Sequence, residues 1–165
     1  MNPAPKVYGR CVIEVRPAWP PDAEAMATVQ NAIHRAGLRA TPVDTDGVRE
    51  RHLDEVHSIA CTVAVDDGRV VGFQSLKRAW IDNPYGVPVG WGIIGTHIHP
   101  DVGRRGIGRR LFVVAHAAAE AAGLRHIDAT IRADNAPALA YYSSLGFVPY
   151  RQEPGSAVVP HRYDV

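Results

Sequence analysis

His99-Pro100-Asp101-Val102-Gly103-Arg104-Arg105-Gly106-Ile107-Gly108-Arg109-Arg110 is the stretch on which the fold turns. A proline disfavours regular structure in the residue before it, so Pro100 closes whatever strand precedes. An amphipathic run follows from Arg104 to Ala122. Ile107, Leu111, Val114, Ala118 and Ala122 recur there at three- and four-residue steps, and Gly123 supplies the stop. The first turn of such a helix leaves N–H groups without intrahelical partners, and its dipole favours an anion. Closely spaced glycines let a bulky group approach the backbone there. Arg104, Arg105, Arg109 and Arg110 add charge-assisted donors. The spacing predicts a strand, an anion-cradling turn and a helix, and a diphosphate suits that turn better than a single phosphate.

Two familiar phosphate motifs fail on spacing. The dinucleotide fingerprint G-x-G-x-x-G needs a third glycine where Leu111 stands, and no Lys-Ser/Thr pair closes a P-loop. The plain alternative is a glycine-softened helix start with a solvated basic face.

Outward from this segment the chain alternates strand and helix patterns. Towards the N-terminus, Val89–His99 reads as the strand that Pro100 ends, after a turn-rich excursion over Ile81–Pro88. Ile59–Val65 and Val70–Ala79 read as a hairpin joined by Asp66-Asp67-Gly68, where glycine accepts a positive φ. A polar helix is expected over Val48–Val56, irregular chain over 38–46, and a helix after Trp19-Pro20-Pro21-Asp22. In that helix Ala25, Met26, Val29, Ile33 and Ala36 keep helical spacing and Gly37 caps the end. Residues 7–15 read as a first strand. Towards the C-terminus follow strand Ile127–Ile131, helix Ala136–Ser144, strand Phe147–Arg151 and a short strand Val158–Tyr163. With no repeats and no long linker, the order β-α-α-β-β-β-α-β-α-β-β predicts one α/β domain over residues 1–165, a mixed sheet covered by helices on both faces.

Composition bounds the function. In 165 residues, 18 Lys+Arg face 17 Asp+Glu, and a net charge of +1 provides no field for non-specific nucleic-acid binding. All cations but Lys6 and Lys77 are arginines, whose rigid fork suits phosphates. No apolar run approaches the roughly 20 residues that span a bilayer, and the N-terminus lacks a signal-peptide layout. A cytoplasmic protein with no membrane or nucleic-acid partner is the expectation. Cys11 and Cys61 read as small buried hydrophobes, not as a disulfide framework or a metal motif.

A second motif stands downstream: Asn135-Ala136-Pro137-Ala138-Leu139-Ala140-Tyr141-Tyr142-Ser143-Ser144-Leu145-Gly146-Phe147. Together with Ile98-His99-Pro100, the Gly103–Gly108 turn and Val70-Val71-Gly72-Phe73, this block resembles the GCN5-related N-acetyltransferases (GNAT), over most of the chain. The family signature Gln/Arg-x-x-Gly-x-Gly/Ala reads here Gly103-Arg104-Arg105-Gly106-Ile107-Gly108. Gly103 departs from the usual Gln or Arg and removes one side-chain contact, for which Arg104 or Arg105 can compensate.

The resemblance implies a mixed, mostly antiparallel sheet of six or seven strands flanked by about four helices. It implies acetyl-CoA as co-substrate; no metal is expected, because His97 and His99 lack an evident third ligand. The pantetheine would pair with the backbone around Ile98, and the pyrophosphate would lie on Gly103, Arg104, Arg105, Gly106, Ile107, Gly108 and Arg109, with Asn135 nearby. A neutral amine would attack the thioester directly, so catalysis is positioning, deprotonation and stabilisation of oxyanion and thiolate. Tyr142 falls on the position that protonates the departing sulfur. Tyr141, about 100° away round the helix, suits core packing. Dimers are common among relatives, and a homodimer is one expectation.

For the base, Val87–His99 contains no acidic residue, which leaves His97 and His99, on one strand face and able to titrate near neutrality. The acceptor, a small-molecule or peptide amine, is expected over residues 20–57 and 80–88. Asp44, Asp46, Glu50, Asp54 and Glu55 can attract a cationic amine there, and Trp80, Tyr85 and Trp91 can line an aromatic pocket. The competing functions are a non-catalytic acyl-CoA sensor on the same fold and a nucleotide-binding protein.

Overall fold

Hydrogen bonding across the chain assembles one seven-stranded sheet, order β1-β2-β3-β4-β5-β7-β6, in a computed structural model that describes residues 12–165. Its strands are β1 (Glu14–Pro17), β2 (Ser58–Asp66), β3 (Arg69–Arg78), β4 (Gly92–Ile98), β5 (His126–Arg132), β6 (Val148–Pro149) and β7 (Val158–Asp164). The helices are α1 (Ala23–Arg35), α2 (Thr45–Val48), α3 (Ile107–Ala121) and α4 (Ala136–Leu145). The expected mixed, mostly antiparallel sheet with four helices is the fold that forms. Residues 7–11 of the first expected strand, and Cys11, lie outside the described residues.

Alternation along the strands sorts the core into two layers. Val63, Val65, Val70 and Phe73 point to Met26, Ala27, Val29 and Val48 of α1 and α2. On the other face Leu76, Ile94, Ile127, Ala129 and Ile131 meet Phe112, Ala115 and Ala119 of α3 and Tyr142 of α4. Ile107 and Leu111 anchor the start of α3 on Ala64 and Val71. The β2–β3 hairpin turns on Asp67 and Gly68 at φ 48° and 76°, positive at both loop positions as its sequence suggests.

One pairing decides where a ligand can enter. Every neighbouring pair is antiparallel except β4 and β5, which run parallel and are in register only at Gly92–Ile127 and Ile93–Asp128. Past that point the two strands part. On its other side β4 stays paired with β3 up to Gly72–Ile98.

Several boundaries differ from expectation. α3 begins at Ile107, not Arg104, because Arg104 (φ 65°) and Gly106 (φ 73°) are left-handed and cannot continue a helix. β4 begins at Gly92, because Gly90 (φ 86°) turns back and its N–H bonds Ala79 C=O at 3.0 Å. The expected Val48–Val56 helix starts earlier, at Thr45, where the Asp44 carboxylate caps Gly47 N–H at 2.8 Å. It then widens into a π turn over Arg49–Leu53. The strand expected over Phe147–Arg151 shrinks to two residues, with Pro149 unable to donate to a ladder.

Candidate active site

The parting of β4 from β5 leaves one edge of β4 without a strand. In an antiparallel ladder alternate residues turn their backbone groups to the neighbour. His99 N–H bonds Val71 C=O at 2.9 Å, so residues 93, 95, 97 and 99 face β3. Ile94, Thr96 and Ile98 therefore turn their N–H and C=O towards the gap. The gap is a cavity of about 320 Å³, walled by Ile94 to His97, by Thr130 to Arg132, by Asn135, Ala138 and Tyr142 of the next segment, and by the loop after α1.

α3 starts where β4 ends. The N–H groups of Gly106, Ile107, Gly108 and Arg109 precede its first helical bond, Arg110 N–H to Gly106 C=O at 3.1 Å. A Cβ on Gly106 would meet nothing within 4 Å, so its backbone faces open space. Gly108 is a glycine for another reason: a Cβ there would come within 2.5 Å of the Tyr141 ring and 3.1 Å of Ile98. The four arginines divide. Arg105 pairs with Asp66 of the hairpin, and Arg110 braces the Ile13 carbonyl at 3.0 Å. Arg104 and Arg109 are exposed, and neither forms an ion pair among the described residues. Of the four arginines, those two thus stand beside the helix start with neither an ion pair nor a carbonyl brace among the described residues. Gly103 is exposed beside them, and none of residues 103–109 lines the cavity.

Neighbouring tyrosines on α4 diverge. Tyr142, 6% exposed, lines the cavity and donates its hydroxyl to Thr96 Oγ1 at 2.9 Å. Burial holds its phenol above the ordinary value, so it stays protonated. Tyr141 donates to Gly108 C=O at 2.8 Å and fixes α4 against α3. Asn135 caps α4, its Oδ1 accepting Ala138 N–H at 3.1 Å, while its Nδ2 reaches Leu38 C=O at 3.4 Å.

His97 and His99 part company. His99 Nδ1 accepts Asp101 N–H at 3.2 Å and caps the Pro100–Val102 turn, and His99 lines neither cavity. His97 stands between the 320 Å³ cavity and a second one of about 280 Å³ on the α1 face, lining both. Gln30 Nε2 lies 3.2 Å from His97 Nε2 and 3.3 Å from His52 Nε2, and His52 Nδ1 lies 3.1 Å from Ser75 Oγ. Burial first, then neighbouring cations, drives His52 down to about 3, and burial first drives His97 well below the histidine norm. Both imidazoles are neutral at physiological pH.

The second cavity reverses the expected electrostatics. Gln30, Arg39, Arg51, His52, Lys77 and Tyr85 line it, and no carboxylate does. Asp44 caps α2, Asp54 pairs with Arg49, Glu55 pairs with Lys77 at 3.4 Å, and Asp46 and Glu50 face solvent. Of the three aromatics only Tyr85 reaches the cavity; Trp80 stacks on His57, and Trp91 packs against His126 and Tyr150. Cys61 is half-buried, its thiol pushed up to about 12 by burial. Among the described residues no group of three or more His, Cys, Asp or Glu can hold a metal, and no helix is long and apolar enough to cross a membrane. Sequence reasoning missed Gln30, Arg39, Arg51, His52 and Thr96. Tyr85 was the one residue of this pocket that the sequence reading had placed there.

The chain matches the model of the acetyltransferase (GNAT) family over residues 24–147. It is 35% identical over 83 residues to the S-(2-succino)cysteine N-acetyltransferase of Bacillus subtilis (strain 168), a match covering 48% of this chain and 46% of that protein. The matched stretch thus spans about half the length of that relative. Among solved structures, the yncA protein of Salmonella typhimurium, solved with acetyl-CoA, aligns with a TM-score of 0.69 at 21% identity over 92% of this chain and 93% of that one. The PaiA N-acetyltransferase of Thermoplasma acidophilum, solved with coenzyme A, aligns with a TM-score of 0.72 at 16% identity over 93% and 99%. At such identities these likenesses speak for the fold.

Proposed function

This chain belongs to the acetyltransferase (GNAT) family, and from that premise we propose that it moves an acetyl group from acetyl-CoA to a primary amine of a small molecule or peptide by direct attack. The observation that carries the reading is the parted β4–β5 edge. It offers outward-facing backbone at Ile94, Thr96 and Ile98, a cavity beside it, and the unbonded N–H groups of α3 at its end.

Those groups fit the thioester substrate. Strand-like amides on β4 suit the amides of pantetheine, and the N-terminus of α3, with Arg104 and Arg109, suits a diphosphate. The open space over Gly106 lets that group reach the backbone. Gly103, Arg105, Ile107 and Asn135 contribute by shaping the turn and the α4 cap, not by side-chain charge on the ligand.

The amine nitrogen forms its bond to the thioester carbonyl carbon, and the C–S bond then breaks. His97, neutral and lining both cavities, receives the amine proton, and Gln30 and His52 hold its ring. Tyr142 donates its hydroxyl hydrogen to the departing sulfur. Desolvation keeps that phenol protonated and raises the proton affinity of a thiolate formed beside it, so the match survives burial. His99 is given no part in this step, since it lines neither cavity.

The test is release of free thiol from acetyl-CoA across a panel of amines, with S-(2-succino)cysteine among them because a relative bears that name. Thiol release that requires an amine and yields the N-acetyl product is expected. Tight CoA binding with no turnover on any amine contradicts it, as does ATP displacing CoA efficiently while CoA fails to displace ATP.

A further inference from the structure

The cavity on the α1 face holds more positive charge than it answers. Lys77 has Glu55 at 3.4 Å, but Arg39 and Arg51 have no acidic partner among the described residues. They come from separate elements, Arg39 from the loop after α1 and Arg51 from the π turn, and both line the same 280 Å³ space. The Arg39 Nε is spent on Thr41 C=O at 2.9 Å, and its backbone C=O is tied to His34 Nδ1 at 2.9 Å, so the loop is held in place. Two guanidiniums brought together repel, and such a pair is stable where an anion lies between them. Burial, then Arg51, pulls Arg39 below the ordinary guanidinium value, and Lys77, Arg39 and Arg51 each depress His52. One more group is unanswered: Gln30, 1% exposed, lines the cavity, and its Oε1 has no hydrogen-bond partner. A buried carbonyl without a donor costs about 1–3 kcal/mol, and an amine N–H would satisfy it beside His97.

Resting on the acetyl-transfer reading, we propose that the acceptor is an amine that carries a carboxylate, a free amino acid in class, with Arg39 and Arg51 on the carboxylate and Gln30 Oε1 on the amine. The volume suits a small molecule rather than a protein tail, since drug-sized pockets begin near about 300 Å³. A polyamine or a lysine-rich peptide meets Arg39, Arg51 and Lys77 on the cavity wall and is disfavoured.

The experiment has two arms. In steady-state thiol release, glutamate and other free amino acids are compared with their amides, with decarboxylated amines and with spermidine. Free amino acids are expected to exceed the carboxylate-free amines in kcat/KM by roughly tenfold to hundredfold, the worth of one charge-assisted hydrogen bond. Arg51→Gln, remote from the β4–β5 cleft, should raise the acceptor KM by a similar factor and leave the acetyl-CoA KM unchanged. In the second arm, calorimetry measures binding of glutamate to the CoA-loaded protein and to its Arg51→Gln and Arg39→Gln variants. If no amine releases thiol, the transfer reading fails, and calorimetry still decides the pocket's ligand. Carboxylate-free amines used as well as amino acids, or glutamate binding equal in wild type and both variants, overturns the proposal.

Discussion

At the residue scale the site depends on which neighbour faces the gap. Tyr141 and Tyr142 carry the same phenol, and their surroundings distinguish them: Tyr141 bonds Gly108 C=O, whereas Tyr142 bonds Thr96 and lines the cavity. Tyr142→Phe removes the hydroxyl and nothing else. It should lower kcat by about 10²-fold or more, the usual worth of a positioned acid, while the acetyl-CoA Kd measured by calorimetry stays within a few-fold of wild type. Gly106→Val tests the helix start. A Cβ at φ 73° is strained and fills the space over the backbone, so the acetyl-CoA KM should rise about tenfold to hundredfold with the loss of one charged hydrogen bond. Equal KM values would remove the diphosphate from α3. The placement of Tyr142 on the cavity and of Gly106 at the start of α3 was legible in the sequence, because each belongs to a local pattern. The capping role of His99 was not legible, because it depends on where Asp101 N–H points.

At the scale of elements, the hairpin, α1, α3 and α4 carry their own signals: a loop with two positive φ values, apolar stripes, glycine stops and an Asn cap. Their ends were less legible, because left-handed Arg104 and Gly106 delay α3 by a few residues. The π turn was hidden. Read as a regular helix, Arg49–Leu53 is polar on most sides, yet the wider turn sends His52 inward to Ser75 and leaves Arg51 on the cavity. The α3–α4 contact is equally non-local. Gly108→Ala should destabilise the fold by about 1–3 kcal/mol through overpacking on Tyr141, read as a lower urea midpoint at constant slope. It should also lower kcat through the displaced α4, which Tyr141→Leu, by making room, partly restores.

For the whole molecule, charge that sums to +1 is distributed against expectation: Asp44 caps a helix, Asp54 and Glu55 are paired, and Arg39 and Arg51 on the α1-face cavity have no acidic partner among the described residues. No one-dimensional count could reveal that, since Arg39 and Arg51 meet only when α1 and the π turn pack on the same face of the sheet. Burial of His52 and His97 has a consequence for stability. Both are neutral in the fold and take up protons when unfolded, so the unfolded state binds more protons below their ordinary 6.5. Stability is therefore retained above that value and lost as pH falls towards about 3, the His52 value in the fold. Each ring contributes up to about 1.4 kcal/mol per pH unit. The melting temperature should fall from about pH 7 to about pH 5, and His52→Gln should flatten that fall.

The central claim is direct transfer at the β4–β5 cleft, and rapid mixing with acetyl-labelled CoA tests it. With acetyl-CoA alone there should be no thiol burst and no label on the protein. With an amino-acid acceptor, thiol and N-acetyl product should appear together at one rate. A burst of thiol without acceptor, with the label covalently on the chain, would contradict the account.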